Sequence, residues 1–158
     1  MNRNLSLRLA VVLLVVTGLI LAACTTTGGE TESTGSGFTD ITWEWVSVDS
    51  TMTGGEKVTV PNPENYTIVF REDGTINGLA DCNSFGGTYT QGEGGDFDIE
   101  LGATTMMACP EGSLDAQYMT LLSNVAAAGP DGSGGFAMTG AGGVDYMLFR
   151  DGGPAASE

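Results

Sequence analysis

The sequence lacks histidine altogether and has few basic residues, five Lys and Arg against 20 Asp and Glu. Without an imidazole, the chain cannot build a Ser-His-Asp triad, a Cys-His pair or a histidine-ligated zinc site. An acidic surface also repels nucleic-acid phosphates and anionic lipid head groups. We therefore expect a protein that is not an enzyme, uses no cofactor or metal, and has no nucleic-acid partner.

Long apolar runs are equally scarce, and the one that is present lies at the amino terminus. It extends from Leu9 to Leu21 and follows two basic residues, Arg3 and Arg8, which is the pattern of an export signal. The run is shorter than the roughly 20 apolar residues of a transmembrane helix. Residues 1–23 are therefore predicted to be a lipoprotein signal peptide that is removed from the mature chain.

Cysteine occurs three times, and the first cysteine lies directly after the apolar run. The segment Leu21-Ala22-Ala23-Cys24 resembles the bacterial lipobox, in which lipid is attached to the cysteine thiol. Each buried methylene of an acyl chain contributes about 0.8 kcal/mol to membrane binding. Cys24 is thus the predicted lipidation site, which would anchor the chain in the cell membrane or outer membrane with its domain facing the periplasm or exterior. A secretory signal with a chance cysteine is the alternative.

The segment after Cys24 has nothing to bury. Residues 25–37 are Thr, Gly, Ser and Glu, a composition typical of flexible coil. We predict an anchor cysteine and flexible linker over residues 24–37, one folded domain over residues 38–150, and a disordered tail over residues 151–158.

Apolar and polar residues alternate along most of the domain, which is the period of a β-strand. The first predicted strand carries Ile41, Trp43 and Trp45 on one face. Pairs of alternating runs separated by Gly-rich turns predict three hairpins, within residues 66–77, 87–101 and 136–149.

One segment has the period of a helix instead. Its apolar stripe consists of Leu114, Tyr118, Leu121, Leu122 and Val125. The spacing predicts a helix from about Ser113 to Ala127, with Ser113 as the N-cap and Gly129-Pro130 as the stop. We expect the stripe to pack on a sheet face or over an open end of a barrel.

Two further runs are distinctive as sequences. The first is Asp73-Gly74-Thr75-Ile76-Asn77-Gly78 through Cys82-Asn83-Ser84-Phe85-Gly86-Gly87-Thr88-Tyr89, and the second is Thr104-Thr105-Met106-Met107-Ala108-Cys109-Pro110. They resemble the two hallmark motifs of the META domain, also called the HslJ-like family. The resemblance implies a mainly β fold, a small antiparallel β-barrel with one α-helix packed on the sheet. Members include bacterial lipoproteins, one of them heat-inducible, but the family name carries no agreed activity.

The resemblance therefore leaves the function open between classes. We expect a non-enzymatic envelope lipoprotein that binds a partner protein or protects against stress. The alternative is a carrier, either of a small ligand in the barrel mouth near Trp45 or Tyr89, or of Cu(I) at Met106, Met107 and Cys109, whose sulfur atoms suit that ion. A deep apolar pocket would favour the carrier, two convergent carboxylates in a cleft would favour a hydrolase, and a filled core would favour the binding module.

The two remaining cysteines, Cys82 and Cys109, lie one in each META-like motif. If Cys24 carries lipid, they have only each other as partners in a compartment that oxidises exported thiols. A Cys82–Cys109 disulfide is predicted, with two buried free thiols or a Cu(I) site shared with Met106 or Met107 as the alternatives.

Three carboxylates, Asp96, Asp98 and Glu100, alternate with apolar residues and fall on one strand face. They could hold a calcium ion, which prefers oxygen ligands. We interpret them instead as the solvated face of a strand.

Overall fold

The computed structural model describes residues 37–49 and 55–156. The predicted signal peptide, Cys24 and nearly all of the linker lie outside the described residues. Within those ranges the chain forms one α-helix, α1 (Asp115–Leu122), and nine strands. The strands are β1 (Ile41–Asp49), β2 (Lys57–Thr59), β3 (Tyr66–Phe70), β4 (Thr75–Ala80), β5 (Asn83–Gln91), β6 (Phe97–Thr104), β7 (Val125–Pro130), β8 (Phe136–Gly140) and β9 (Tyr146–Pro154).

The strands form one antiparallel sheet in the order β6-β5-β4-β3-β1-β9-β8-β7, and β2 pairs with β1 beside this path. The two end strands meet where Asp96 forms an isolated bridge with Ala127. This bridge brings the sheet round into a nearly closed barrel, which confirms the predicted fold class.

The three predicted hairpins are present as β3–β4, β5–β6 and β8–β9. In the first turn, Gly74 has a positive φ of 86°, a conformation that glycine adopts without strain. The Asp73 carboxylate accepts hydrogen bonds from both the backbone N–H and the hydroxyl of Thr75, at 2.9 and 2.6 Å. Local turn chemistry therefore determines this hairpin.

Aromatic side chains fill the inside of the barrel. The Phe38 ring contacts four others at centroid distances of 5.2–5.9 Å, namely those of Phe70, Tyr89, Phe97 and Phe136. A second group forms around α1, where Tyr118 stacks on Trp45 at 5.1 Å. Trp45 is fully buried, and the Tyr89 hydroxyl donates to the Arg71 carbonyl at 2.9 Å. Trp45 is therefore part of the core, and Tyr89 is partly buried and packs against it.

The helix is shorter than the sequence predicts. It ends at Leu122 because the side chains of Ser123 and Asn124 both donate to the Thr120 carbonyl, at 2.8 Å each. Its first turn follows Leu114, and the Ser113 hydroxyl accepts the Asp115 N–H at 3.2 Å without serving as the N-cap residue.

The last part of the predicted helix is strand β7. Gly129 and Pro130, expected to stop the helix, pair with Ala137 and Phe136 of β8. Val125 is buried in the strand, as it was expected to be in the helix, so its place in the apolar stripe did not distinguish the two conformations. Pairing with β8, the next strand along the chain, decides the outcome.

The carboxyl-terminal segment is also more ordered than predicted. Strand β9 continues through residues 151–154, which were expected to be a disordered tail. Asp151 pairs with Trp43, Pro154 pairs with Ile41, and the Ala155 N–H donates to the Asp40 carbonyl at 2.9 Å. Apolar and polar residues do not alternate within residues 151–154, so the sequence pattern did not predict a strand there. The segment is ordered because it pairs with β1.

No helix within residues 37–49 and 55–156 combines the length and the apolar character that a bilayer-spanning segment needs.

Candidate functional site

The two META-like motifs meet at one corner of the barrel. Strand β5 begins at Asn83, and Phe85 pairs with Thr104 at the end of β6. Beyond that pair, the Thr105 N–H donates to the Ser84 carbonyl, and the Ser84 N–H donates to the Thr105 hydroxyl, each at 2.9 Å. The chain that leaves β6 is thereby held against the start of β5.

Cys82 and Cys109 are joined by a disulfide with their Cα atoms 5.5 Å apart. The bond confirms the predicted pairing and excludes both alternatives that required free thiols. Cys109 is therefore not a thiolate ligand for copper. The bond ties together residues 27 positions apart and fixes both ends of the corner.

Asn83 holds the segment 105–110, which we call the methionine loop. Asn83 itself is only 6% exposed. The amide oxygen accepts the Met107 N–H at 2.7 Å and the Thr105 hydroxyl at 3.2 Å. The amide nitrogen donates to the Met107 carbonyl at 3.1 Å and faces the Cys109 sulfur at 3.3 Å. One buried amide thus replaces the strand pairing that the loop lacks.

The clamped loop holds two large apolar side chains out in solvent. Met106 is 95% exposed and Met107 is 59% exposed, whereas Met138 and Met147 are buried in the core. Single exposed apolar residues are normal, but a contiguous exposed group marks an interaction site. Whether Met106 and Met107 mark an interaction site therefore depends on the residues around them.

Next to the loop lies a groove of about 420 Å³, which we call the methionine groove. Its lining includes three methionines, three alanines and one carboxylate, namely Met106, Met107, Met119, Ala80, Ala108, Ala116 and Asp115. Adjacent side chains of a strand point to opposite faces. Residues 105–110 are a loop rather than a strand, so the side chains of Met106 and Met107 both line the same groove.

Leu79 is 43% exposed but does not line the methionine groove. It lies on the opposite face of β4 from Ala80 and lines a separate cleft with Thr67 and Ser84. Two of the four exposed large apolar side chains in the described ranges, Met106 and Met107, therefore line the groove. The fourth, Tyr146, lies on β9, beyond β3 and β1 from β4 in the sheet, and pairs with Asp49.

Met119 was missed by the sequence analysis, which used the helix only for its buried stripe. Asp115 and Ala116 precede Met119 by four and three residues, so each of them neighbours Met119 on the surface of α1. That spacing was readable in the sequence. The position of this face opposite the methionine loop was not.

Every basic side chain in the described ranges pairs with a carboxylate. Lys57 lies 3.7 Å from Asp49, Arg71 lies 3.0 Å from Asp40, and Arg150 lies 2.6 Å from Glu44. None of the three lines the methionine groove.

The charge in the groove is a single carboxylate, that of Asp115, and no basic side chain belongs to the lining. The other polar lining residues are Asn83, Thr104 and Thr105. The groove is therefore mainly apolar and carries one negative charge.

The three carboxylates at the start of β6 lie on an exposed face, as predicted, although Asp96 precedes the first residue of the strand. Asp96, Asp98 and Glu100 are exposed, while the intervening Phe97 and Ile99 are buried. Within the described part of the chain, no group of three or more His, Cys, Asp or Glu side chains is arranged to hold a metal ion.

Asp96 and Asp98 also line an open cleft of about 530 Å³, together with Ser123 and Asn124. A glycosidase pair needs one carboxylic acid in apolar surroundings that keep it protonated. Both carboxylates are exposed to water, so the cleft lacks this feature.

Comparisons with known proteins agree with this architecture. A solved structure of a DUF4847 family protein from Bacteroides vulgatus ATCC 8482 is 17% identical with a TM-score of 0.51, covering 72% of this chain and 93% of that one. A protein from Burkholderia xenovorans is 19% identical with a TM-score of 0.52, covering 72% and 83%. At these identities the similarity shows the fold alone.

The comparison with curated proteins found no match. The family model of the META domain matches residues 36–152, well over half of the chain. The match includes both motifs, the disulfide between them and the methionine loop. This chain therefore belongs to the META domain family.

Proposed function

We propose that this chain is a lipid-anchored envelope lipoprotein whose META domain binds a partner protein at the methionine groove. The observation that carries the proposal is a loop that is clamped by a buried amide and a disulfide, yet holds Met106 almost fully in solvent. Whether the chain serves in binding or in protection against stress, it would contact its partner protein through the methionine groove.

The clamp supports binding because it lowers the entropic cost of association. Fixing the backbone of one residue costs about 1–2 kcal/mol, and a loop fixed in advance does not lose that free energy when a partner arrives. The Asn83 hydrogen bonds and the disulfide fix the methionine loop within the folded chain. Methionine side chains are unbranched and adapt to the shape of a partner.

The packed interior supports a binding module over a small-ligand carrier. The largest fully buried side chains are aromatic, and they occupy the space where a barrel-shaped carrier keeps its ligand. The methionine groove, on which the proposal rests, lies between the methionine loop and α1.

Anchoring through lipid on Cys24 fits the charge of the domain. The chain has a formal net charge of −15, so its surface does not bind anionic membranes by electrostatics. A lipid on Cys24 would keep the domain at the bilayer and leave the methionine groove accessible.

Site-specific photocrosslinking in cells tests the proposal. A photoreactive amino acid would replace Met106 in the full chain, and a matched variant would carry it at Tyr146, which is exposed but lies away from the groove. We expect a discrete crosslinked protein with the Met106 variant alone. Equal products at both positions, or none at Met106, would contradict the proposal.

A soft-metal carrier is the second candidate, and one observation favours it. Three thioethers, those of Met106, Met107 and Met119, line the same groove, and thioethers bind Cu(I). Titration with Ag(I), which imitates Cu(I), would show binding that a Met106→Leu/Met107→Leu variant loses. Unchanged binding in that variant would exclude the groove as the metal site.

A further inference from the structure

We infer that Met106 and Met107 form an oxidation site, at which a peroxide or hypochlorous acid converts each thioether reversibly to a sulfoxide. Formation of the sulfoxide does not depend on the proposed function, because no partner protein takes part in it. Its effect on the methionine groove deepens the proposed function and rests on it.

The methionines of the described ranges differ sharply in exposure. Met106 is 95% exposed and Met107 is 59% exposed, whereas Met138 is 0% and Met147 is 1% exposed. Met119 lies between these extremes, partly buried against the core. An oxidant must reach the sulfur lone pair before it can react. The fold therefore directs oxidation to the methionine loop and shields the methionines of the interior.

The contacts that hold the methionine loop do not use its sulfur atoms. The Asn83 amide binds Met107 through the backbone, accepting its N–H at 2.7 Å and donating to its carbonyl at 3.1 Å. The Cys82–Cys109 disulfide fixes the same corner and is already oxidised. A sulfoxide disrupts the packing of a core, but neither Met106 nor Met107 belongs to the core. Oxidation of these two residues should therefore leave the fold and its stability unchanged.

The reaction needs no group other than the oxidant. With a peroxide, the sulfur lone pair attacks one oxygen, the O–O bond breaks as the S–O bond forms, and the leaving hydroxide takes a proton to become water. With hypochlorous acid, the sulfur first binds chlorine and releases hydroxide, and water then displaces chloride. The net products besides the sulfoxide are one proton and one chloride ion. In both cases the thioether loses two electrons to the oxidant.

The sulfoxide can be returned to the thioether. Methionine sulfoxide reductases, one for each sulfoxide epimer, catalyse this step. The sulfoxide oxygen leaves as water while two thiols of the reducing system are joined in a disulfide. The exposure of Met106 and Met107 that admits the oxidant also admits these enzymes.

Sulfoxide formation changes the lining of the methionine groove. The thioethers of both loop methionines belong to that lining, which carries one carboxylate and no basic side chain. Oxidation replaces each apolar thioether by a polar S–O group. An apolar partner surface seated in the groove would remove the sulfoxide oxygens from water, which costs free energy. The oxidised chain is therefore expected to bind its partner more weakly, and reduction should restore binding.

The first test maps oxidation in the mature chain with Cys24→Ser, which carries no lipid. Hydrogen peroxide and hypochlorous acid are added in graded amounts in separate arms, and mass spectrometry of peptides measures the sulfoxide at each methionine. We expect Met106 and Met107 to react at least tenfold faster than Met138 and Met147 in the folded chain, and at similar rates in urea. The oxidant that acts at the lower dose is the more effective source. Equal rates at loop and core methionines in the folded chain would overturn the inference.

Stability and reversibility are measured on the same oxidised protein. The midpoint of urea denaturation should be the same before and after oxidation of the loop, and methionine sulfoxide reductases should restore both thioethers. Met106→Leu/Met107→Leu is the matched control, which should keep this midpoint and take up two fewer oxygen atoms at the same dose. A lower midpoint for the oxidised wild type, or sulfoxides that the reductases do not reduce, would overturn the inference.

The effect on the groove is tested in cells. A photoreactive amino acid at Ala108, an exposed residue of the lining, reports the partner while both methionines remain. Exposure of the cells to hypochlorous acid should lower the crosslinked product at least threefold, and should not lower it in a Met106→Leu/Met107→Leu background. No crosslink before oxidation would contradict the proposed function, whereas the sulfoxide map decides the oxidation site independently. A crosslink that persists after both methionines are oxidised would overturn the effect on the groove.

Discussion

Replacing Cys82 and Cys109 together by serine should lower the free energy of unfolding by about 3–4 kcal/mol. The disulfide joins residues 27 positions apart and thus closes a loop of that size in the unfolded chain. In the chain-entropy model, closing a loop of this length lowers the conformational entropy of the unfolded chain by about 12 cal/mol/K. At room temperature this raises the free energy of the unfolded state by roughly 3.6 kcal/mol. The loss is a large share of the 5–15 kcal/mol that is typical of folded domains.

Urea denaturation followed by tryptophan fluorescence measures the change, with Cys24→Ala as the common background so that no other thiol is present. Reduced wild type is the matched control, because it lacks the bond and keeps both sulfur atoms. The double serine variant and the reduced protein should unfold at nearly the same urea concentration. A loss below about 1 kcal/mol in both would refute the reasoning, as would thiol labelling of the unfolded, unreduced chain at either cysteine.

Three other perturbations have expected outcomes. Cys24→Ala should move the protein from the membrane fraction to the soluble fraction, and retention in the membrane would contradict the lipid anchor. Leu122→Ala removes a fully buried side chain and should cost about 2–5 kcal/mol of unfolding free energy, whereas Met106→Ala, at an exposed site, should cost less than about 0.5 kcal/mol. Burial raises the pKa of the Tyr118 hydroxyl well above its ordinary value, and that hydroxyl has no hydrogen-bond partner among the described residues. Since the unfolded chain releases this proton at a lower pH, stability should fall above about pH 10. Tyr118→Phe should weaken that dependence and should not destabilise the protein at neutral pH, as denaturation across pH would show.

The sequence by itself determined the strands and turns that depend on neighbouring residues. Alternation of apolar side chains places Trp43 and Trp45 on the buried face of β1, and the Asp73-Gly74 turn needs only its own backbone and side-chain contacts. The disulfide could also be predicted, because counting cysteines in a chain with a predicted export signal and a predicted lipidation site at Cys24 leaves one pair. These features are local or combinatorial, so no knowledge of the fold was required.

The folded structure decided the features that depend on pairing between strands. Residues 125–130 are a strand because β8, the next strand along the chain, pairs with them, and residues 151–154 are ordered because the distant strand β1 pairs with them. In isolation, neither segment has a pattern that distinguishes it from helix or coil. Pairing across the sheet supplies the hydrogen bonds that select the strand conformation.

The candidate site also depends on contacts between residues that are far apart in the sequence. Its motifs were visible in the sequence, but the amide of Asn83 reaches the Met107 backbone 24 positions away, and Met119 joins the groove from α1. The spacing of residues along the chain does not show which side chain will satisfy a distant backbone group. That choice depends on how the barrel brings β5, the end of β6 and the helix together, because a buried polar group must find its partner in the folded chain.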